Sequence, residues 1–319
     1  MKTRTIAGAL AVAVGLSPSP AEAQLPTMPA CQNQAQSTGC VAALQALASA
    51  APQVGIVAAG GNPVPGVEGT RGITLGIVPK TSLSLRMTTA RVRLQDLDDP
   101  EAQRTVSPFA LKLSTATQLY GGNAAGTGAL ELLLEGGVLS GTGRGERTAA
   151  VLGAGARLGL LRETFGTPGV ALSAAFRHAG PVRYGQRCDR LPVCGIGPNG
   201  EADFGVDDFS ARFTLGKRVG PMGLLGGAGW DRFSTTHGFI AYQGSDGFEP
   251  TSGTAAADVH DSRWSAFANW SYGLTIGSVV VEAGWMSGGD PVNGYTPPPG
   301  GFDPGKGTFF GSVALRIQL

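Results

Sequence analysis

The residues best suited to chemistry lie together in one short stretch, Asp258-Val259-His260-Asp261-Ser262. A carboxylate, an imidazole and a hydroxyl are the groups with which hydrolases activate a nucleophile. Adjacent residues of an extended chain point to opposite sides, whereas a nucleophile and its base must converge. We therefore interpret the stretch as a polar loop leading into a strand, and we predict that the chain is not an enzyme and has no catalytic residues.

Four cysteines form two local pairs, Cys31 with Cys40 and Cys188 with Cys194. Neither pair has the C-x-x-C spacing of a metal site, and the three histidines are far apart in the sequence, so neither a metal nor a cofactor is predicted. In an exported chain, local pairs of this kind form disulfides. We predict that each pair staples a loop, with Cys31 and Cys40 in the periplasm and Cys188 and Cys194 outside the cell.

The first 23 residues indicate export. Lys2 and Arg4 precede an apolar run over residues 6–16, and Ala21-Glu22-Ala23 supplies a small-residue cleavage site. The run is about half as long as a membrane-spanning helix requires. We predict a signal peptide over residues 1–23, cleaved after Ala23.

Composition separates the chain from ordinary soluble enzymes and from nucleic-acid-binding proteins. Of its 319 residues 51 are glycine, and only 15% are charged. Basic and acidic residues balance once the leader is removed, so no basic surface for nucleic acid is expected. Such a glycine-rich, weakly charged chain agrees with a β-barrel.

The elements that would position the polar residues are β-strands, and the clearest of them is the last. From Phe309 to Leu319 large apolar residues and glycine alternate strictly with residues such as Ser312, Arg316 and Gln318. A strand with one apolar face is typical of a transmembrane barrel, whose strands show one face to lipid and the other to the lumen.

Similar segments recur along the chain, and the connections between them alternate between long and short. We predict twelve strands, with ten or fourteen as alternatives, at 54–59, 71–78, 82–94, 106–120, 129–139, 148–160, 169–178, 206–217, 222–233, 262–273, 275–286 and 307–319. An even number of strands with short periplasmic turns places both termini in the periplasm. A soluble β-sandwich is the alternative fold, but it requires neither the alternating connections nor a strand at the C-terminus.

The predicted fold is thus an all-β, antiparallel, up-and-down transmembrane β-barrel in the bacterial outer membrane. It comprises the signal peptide over residues 1–23, a periplasmic segment over residues 24–52 and the barrel over residues 53–319. An Ala/Leu-rich stretch at residues 41–51 predicts a short helix in the periplasmic segment. This helix either plugs the periplasmic mouth or packs near its rim.

Charged residues fall on the strand face opposite the apolar one, and we predict that they line the lumen because a charge in hydrocarbon is costly. Six basic and four acidic residues would either set a weak anion preference in an open pore or fill a narrow lumen with ion pairs, such as Glu131 with Arg157. The ten predicted lumen residues are Arg86, Lys112, Glu131, Glu135, Arg157, Arg177, Arg212, Asp231, Glu282 and Arg316.

The leader, the alternating strands and the terminal Val313-Ala314-Leu315-Arg316-Ile317-Gln318-Leu319 resemble the bacterial outer-membrane β-barrel proteins, although the assembly signal of that class usually ends in an aromatic residue rather than Leu. The stretch Ala58-Ala59-Gly60-Gly61-Asn62-Pro63 faintly resembles the start of the long-chain fatty-acid transporter family, whose barrels have a plugging N-terminal segment. That match is too short to transfer ligand residues.

The function predicted from these features is a pore or small-molecule uptake channel. The alternatives are a structural or adhesive barrel that works through long external loops, and a membrane-embedded hydrolase. The expected partners are outer-membrane lipid and lipopolysaccharide, the barrel-assembly machinery and a small-molecule solute, and the expected state is a monomer.

Overall fold

One helix and thirteen strands make up the described part of the computed structural model. It describes residues 38–66, 80–96, 103–122, 127–140, 148–185, 199–246, 249–291, 296–297, 299 and 301–318. In chain order the elements are α1 (Thr38–Ala59), β1 (Thr81–Ala90), β2 (Val92–Gln95), β3 (Gln103–Val106), β4 (Phe109–Tyr120), β5 (Ala129–Leu139), β6 (Ala149–Leu161), β7 (Gly169–Gly185), β8 (Asn199–Val219), β9 (Met222–Asp246), β10 (Glu249–Ala256), β11 (His260–Gly273), β12 (Gly277–Met286) and β13 (Thr308–Gln318).

Ten of the strands close into one antiparallel barrel. The order is β1-β4-β5-β6-β7-β8-β9-β11-β12-β13, and β13 pairs back to β1 over nine residue pairs from Ser82 with Gln318 to Ala90 with Phe310. Closure satisfies the backbone hydrogen bonds of every barrel strand without leaving a sheet edge. The predicted fold class is confirmed, and ten strands lie within the predicted range.

The two faces of the barrel follow the alternation in the sequence. Large apolar side chains such as Leu85, Leu113 and Val313 point outward and are exposed. Their neighbours Ser84, Ser114 and Ser312 point inward and are buried. An outer face of large apolar groups around a polar interior is the arrangement that a bilayer selects.

The barrel has two unlike ends, which we call the turn end and the loop end. At the turn end β1 begins and β13 finishes, and short turns join β8 to β9 and β11 to β12. At the loop end β1 finishes, β13 begins, and the connections are longer.

Three strands extend beyond the loop end. β7, β8 and β9 have 17, 21 and 25 residues, whereas a tilted transmembrane strand needs about 9–11 residues. Together with β10, which pairs with β9, and the β2–β3 hairpin, their extensions form a loop-end cap. A hydrogen bond joins β7 to the β2–β3 hairpin within the cap, because the Tyr184 hydroxyl donates to the Gln95 carbonyl at 2.5 Å.

The helix α1 is buried along its length and packs mainly against β8 and β9. Its apolar residues, among them Leu44, Leu47 and Ile56, share one core with the cap residues Tyr184 and Phe204. Because the helix is surrounded by protein, its polar residues Gln45, Ser49 and Gln53 are buried as well.

Of the two elements predicted for the N-terminal region, the strand is wrong, whereas the helix is confirmed with wider bounds. The predicted strand at 54–59 is the last part of α1, because a short apolar run does not distinguish a strand from a buried helix. The predicted helix at 41–51 extends from Thr38 to Ala59, and Pro52 lies inside it. The predicted strand at 71–78 and the predicted signal peptide at 1–23 lie outside the described residues.

The position of α1 also differs from the prediction of a periplasmic segment on the same side as the C-terminus. Gln53 exchanges hydrogen bonds with the Arg93 backbone in β2, at 2.7 and 3.0 Å, and receives one from Thr308 at the start of β13. These contacts are at the loop end, whereas Gln318 is at the turn end. Residues 38–52 therefore do not lie on the same side as the C-terminus.

Within the described part of the chain, no helix combines the length and the apolar character that a membrane crossing requires.

The last strand allows the outward face to be tested by substitution. Leu315 is 55% exposed on the outer face, and its neighbour Arg316 is 3% exposed in the lumen. We expect Leu315→Arg to lower the free energy of unfolding by about 2–4 kcal/mol if it lies near the bilayer midplane, and by less near the interface. Urea unfolding from lipid vesicles measures this, with Leu315→Ile as the control. If Leu315→Arg were as stable as the control, Leu315 would not face lipid.

Candidate functional site

The lumen contains a segment of the chain itself. After α1, residues 60–66 continue through the barrel toward the turn end, where the Arg316 guanidinium donates to the Pro65 carbonyl at 3.0 Å. We call α1 together with residues 60–66 the plug. The helix ends at Gly60, whose φ of +69° suits glycine and whose N–H donates to the Ile56 carbonyl at 2.7 Å.

Four charged side chains of the barrel wall hold the plug by its backbone. They are Arg86 on β1, Lys112 on β4, Arg212 on β8 and Glu282 on β12, and we call them the latch. Because they come from four separate strands, they surround the plug and do not hold it from one side.

The three cations of the latch donate to consecutive backbone carbonyls. Lys112 Nζ bonds to the carbonyls of Ala58 and, at 3.1 Å, Ala59. Arg212 bonds to Gly60 at 3.3 Å and Gly61 at 3.0 Å, and Arg86 bonds to Asn62 at 2.6 Å. The last carbonyls of a helix have no partner within the helix and carry the negative end of its dipole, so cations stabilise this end.

Glu282 supplies the complementary acceptor. Its two carboxylate oxygens accept the N–H groups of Gly61 at 3.0 Å and Asn62 at 2.8 Å. The carboxylate also pairs with Arg86 and accepts from Asn269 at 2.8 Å. The latch therefore recognises the main chain of residues 58–62, both donors and acceptors.

The plug fits closely at three glycines. A Cβ atom added to Gly55 would lie 2.3 Å from the Phe233 ring, one on Gly60 would lie 2.5 Å from the Arg86 guanidinium, and one on Gly61 would lie 2.6 Å from Phe267. Real Cβ atoms do not approach other atoms so closely. A methyl group at any of these three positions would therefore collide with a side chain of the barrel wall unless that side chain moved.

The charges of the wall are paired with one another as well as with the plug. The pairs lie mostly between neighbouring strands and are 0–6% exposed apart from Glu135 at 11%. They are Arg86–Glu282, Lys112–Glu135, Arg157–Glu131, Arg177–Glu135, Arg177–Asp208 and Arg212–Asp231.

The structure places all ten of the residues predicted to line the lumen on the inward face. Arg86, Lys112, Arg212, Glu282 and Arg316 contact the plug. The sequence analysis missed two further inward charges, Asp208 and Arg263, which are 1% and 3% exposed. Asp208 shares the parity of Arg212, which the sequence analysis assigned inward on the same strand, so the alternation itself could have identified it. On β11, which carries Arg263, the sequence analysis assigned no residue inward.

A cavity of about 590 Å³ opens at the turn end, next to the end of the plug. It is lined by Gly66, by Arg218 and Arg316, and by the turns that follow β8 and β11. The cavity therefore adjoins the plug at the turn end, whereas the cap covers the plug at the loop end.

The stretch considered for hydrolytic chemistry does not converge in the structure. Asp258 and His260 are exposed, and Val259 between them is buried. Asp261 pairs with Arg263 at 2.7 Å. The side chains thus diverge, as expected for extended chain.

A second group of polar residues crosses the outer face of the barrel near the loop end. His178, Asp207, Ser234 and His260 are successive partners in register on β7, β8, β9 and β11. His178 Nδ1 lies 2.7 Å from Asp207 Oδ1, and half of the His178 side chain is exposed. The partner of His178 comes from the next strand, 29 residues away in the sequence, so sequence proximity does not reveal it.

Metal binding and the disulfides are only partly visible in the described residues. Within them, no group of three or more His, Cys, Asp or Glu side chains could hold a metal ion. Cys40 is buried at the start of α1. Cys31, Cys188 and Cys194 lie outside the described residues, so both disulfide pairings stay predictions.

No protein-family model matches this sequence, and no curated protein sequence is significantly similar to it. Several solved structures are similar in fold. The outer membrane protease OmpT from Escherichia coli is 14% identical with a TM-score of 0.37, over 78% of this chain and 100% of that one. The translocator domain of the autotransporter NalP from Neisseria meningitidis is 12% identical with a TM-score of 0.40, over 76% and 88%. Ail, the attachment invasion locus protein of Yersinia pestis, is 8% identical with a TM-score of 0.31, over 76% and 100%.

These similarities concern the fold alone. The closed antiparallel barrel itself confirms the prediction that the chain has the fold of the outer-membrane β-barrels. The prediction that the chain is not an enzyme is corrected, because one protein with a similar fold is an outer membrane protease. The barrel fold does not separate enzymes from channels or adhesins.

Proposed function

We propose that the protein is an outer-membrane channel for small solutes that rests in a closed state, with the plug as its gate. The observation that carries this proposal is the pairing of the wall charges with one another. On the wall Arg86 pairs with Glu282, Lys112 and Arg177 with Glu135, Arg157 with Glu131, and Arg212 with Asp231. If the plug left, those charges would keep their partners.

At the latch, the energetics do not oppose movement of residues 58–62. A buried charge that loses its only partner costs about 3–5 kcal/mol, which would oppose movement strongly. Here the plug contributes backbone groups to the latch, and each hydrogen bond to a charged group stabilises by about 1.5–3 kcal/mol. Water would replace these bonds in an open lumen, so their net cost on opening is smaller than the loss of an ion pair.

The width of the barrel agrees with this proposal. Side chains fill an eight-stranded barrel, and barrels of 16–18 strands leave an aqueous channel. A barrel of ten strands is intermediate in width. Here the plug, a backbone segment with small side chains, fills the lumen space that the wall side chains leave. Removal of that segment would leave a charged passage between the turn-end cavity and the loop end.

A structural or adhesive barrel is the second candidate, and the loop-end cap favours it. The extensions of β7, β8 and β9 build an ordered surface beyond the membrane. A role of this kind would leave the lumen closed at all times, so conductance distinguishes the two candidates.

The proposal includes the surroundings of the barrel. The apolar belt contacts outer-membrane lipid, with lipopolysaccharide around the loop end. The barrel-assembly machinery inserts the chain, and closure of the sheet makes a monomer sufficient.

The test disturbs the plug and leaves the wall charges in place. We expect Gly61→Leu to raise the conductance of the protein in planar bilayers well above the small current of the unmodified chain. The added side chain would collide with Phe267 and with Glu282, both within 3.0 Å of a Cβ atom at Gly61. Release of the backbone from the latch would then open the lumen.

The control is Gly226→Leu, because Gly226 lies on the outer face and a Cβ atom there has no neighbour within 4 Å. This variant should conduct as little as the unmodified chain. A folded Gly61→Leu barrel without added current would contradict the channel proposal.

A further inference from the structure

The latch contacts mainly the main chain of the plug. Lys112 donates to the carbonyls of residues 58 and 59, Arg212 to those of residues 60 and 61, and Arg86 to that of residue 62. Glu282 accepts the N–H groups of residues 61 and 62. Every polypeptide has these groups, so another chain that presented them in the same geometry would make the same contacts.

The cations of the latch are each balanced by a carboxylate of the wall, and all the side chains concerned are at most 11% exposed. The pairs are Arg86–Glu282, Lys112–Glu135 and Arg212–Asp231. An anion bound here would therefore meet three carboxylates as well as three cations. A main chain offers both donors and acceptors and is neutral, so it suits such a site better than an anion does.

The fit of the plug shows which residues the site accepts. A Cβ atom on Gly60 would lie 2.5 Å from the Arg86 guanidinium, and one on Gly61 would lie 2.6 Å from Phe267. The φ of Gly60 is +69°, a conformation that residues with a Cβ atom rarely adopt. A chain bound in the conformation of the plug therefore needs two successive glycines at these positions.

The site also recognises one side chain. The Asn62 carboxamide donates to Asn269 Oδ1 at 3.3 Å, and the Asn269 carboxamide donates to Glu282 Oε2 at 2.8 Å. All three residues are buried. Asn269 thus links recognition of a carboxamide, directly after the two glycines, to the carboxylate that binds the main chain.

We propose that the latch is a peptide-binding site, in which peptides with two successive glycines followed by asparagine take the place of residues 58–62. Peptides of this class are then the solutes that the channel binds. The inference rests on the proposed function in one respect, because the plug must be able to leave the latch. It goes further, since a pore can open without binding any peptide.

The test measures binding of a fluorescein-labelled peptide to the full-length Gly61→Leu variant in detergent micelles, because this substitution releases the plug from the latch. The probe has the sequence of residues 56–64, Ile-Val-Ala-Ala-Gly-Gly-Asn-Pro-Val. We expect saturable binding by fluorescence anisotropy. A matched peptide with both glycines replaced by alanine should bind at least about tenfold more weakly, because its methyl groups collide with the wall.

Two protein variants show whether the probe binds at the latch. Gly226→Leu keeps the plug in place, because a Cβ atom at Gly226 has no neighbour within 4 Å, so this variant should bind the probe far more weakly than Gly61→Leu. Asn269→Ala, added to Gly61→Leu, should weaken binding because it removes the partner of the peptide carboxamide. Equal binding by Gly226→Leu would overturn the inference, since the probe would then bind outside the latch.

The conductance of Gly61→Leu separates this inference from the channel proposal. Binding without added current would support the peptide site and contradict the channel, whereas current without binding would overturn the peptide site alone. The absence of both in a folded barrel would overturn both. Heat-dependent gel mobility checks folding, and Gly60→Leu is the second variant that releases the plug, because leucine is strained at a φ of +69°.

Discussion

Excision of residues 38–66 is expected to convert the closed barrel into an open pore. These residues are the whole plug, and the wall ion pairs remain when they are absent. In planar bilayers we expect single-channel conductance to rise at least about tenfold above that of the full chain, because a continuous aqueous path replaces a packed backbone.

The matched control is the full chain refolded and recorded in the same way. Heat-dependent gel mobility and circular dichroism would establish that the shortened chain still forms a barrel. A folded barrel that does not conduct would mean that wall side chains close the lumen without the plug, and the gate would then be assigned wrongly.

Reversal potentials in a salt gradient give a further readout from the same recordings. With Asp208 and Arg263 added, the inward charges are seven basic and five acidic. Because charged rings in a pore select ions of opposite sign, we expect a mild preference for anions. Strong cation selectivity would contradict this description of the lumen.

The strands could be predicted from the sequence because lipid imposes a simple rule on them. Every second residue must be apolar where the outer face meets hydrocarbon, so strands such as Ala129–Leu139 and Thr308–Gln318 were located within one or two residues. No such rule acts above the membrane. The sequence analysis therefore missed the extensions of β7, β8 and β9. Neither face of these extensions contacts only lipid, so their sequences need not alternate between apolar and polar residues.

The plug could not be predicted in the same way, because it is surrounded by protein. The stretch Val54-Gly55-Ile56-Val57-Ala58-Ala59 has no polar face, and its β-branched residues favour a strand on propensity. Its helical state follows from tertiary contacts, above all those of the latch with the last carbonyls. The faint resemblance to barrels with a plugging N-terminal segment rested on residues 58–63, and the latch binds residues 58–62 of that stretch.

The inward charges followed from parity, but their energetic role follows only from the pairs that the structure shows. Glu131 and Arg157 face each other on β5 and β6, with 3.1 Å between Glu131 Oε2 and Arg157 Nη1 and exposures of 5–6%. The sequence separation of Glu131 and Arg157 gives neither the distance between their charged groups nor the burial of the two side chains. These two quantities decide how much an ion pair contributes to stability.

This pair is expected to behave as a buried one. We expect Arg157→Met to lower the free energy of unfolding by about 3–5 kcal/mol, because it leaves the Glu131 carboxylate buried without its partner. The double variant Arg157→Met/Glu131→Leu should recover most of that loss, since replacement of both charges removes the desolvation cost as well as the attraction. Urea unfolding from lipid vesicles measures all three proteins.

The control is Lys306→Met, which breaks the exposed pair of Lys306 with Asp303, at 54% and 40% exposure. Surface pairs contribute about 0–1 kcal/mol, so this variant should unfold close to the unmodified protein. If Arg157→Met cost no more than Lys306→Met, water would already reach the lumen wall around Glu131. The plug would then not seal this part of the barrel, and the closed resting state would have to depend on the latch alone.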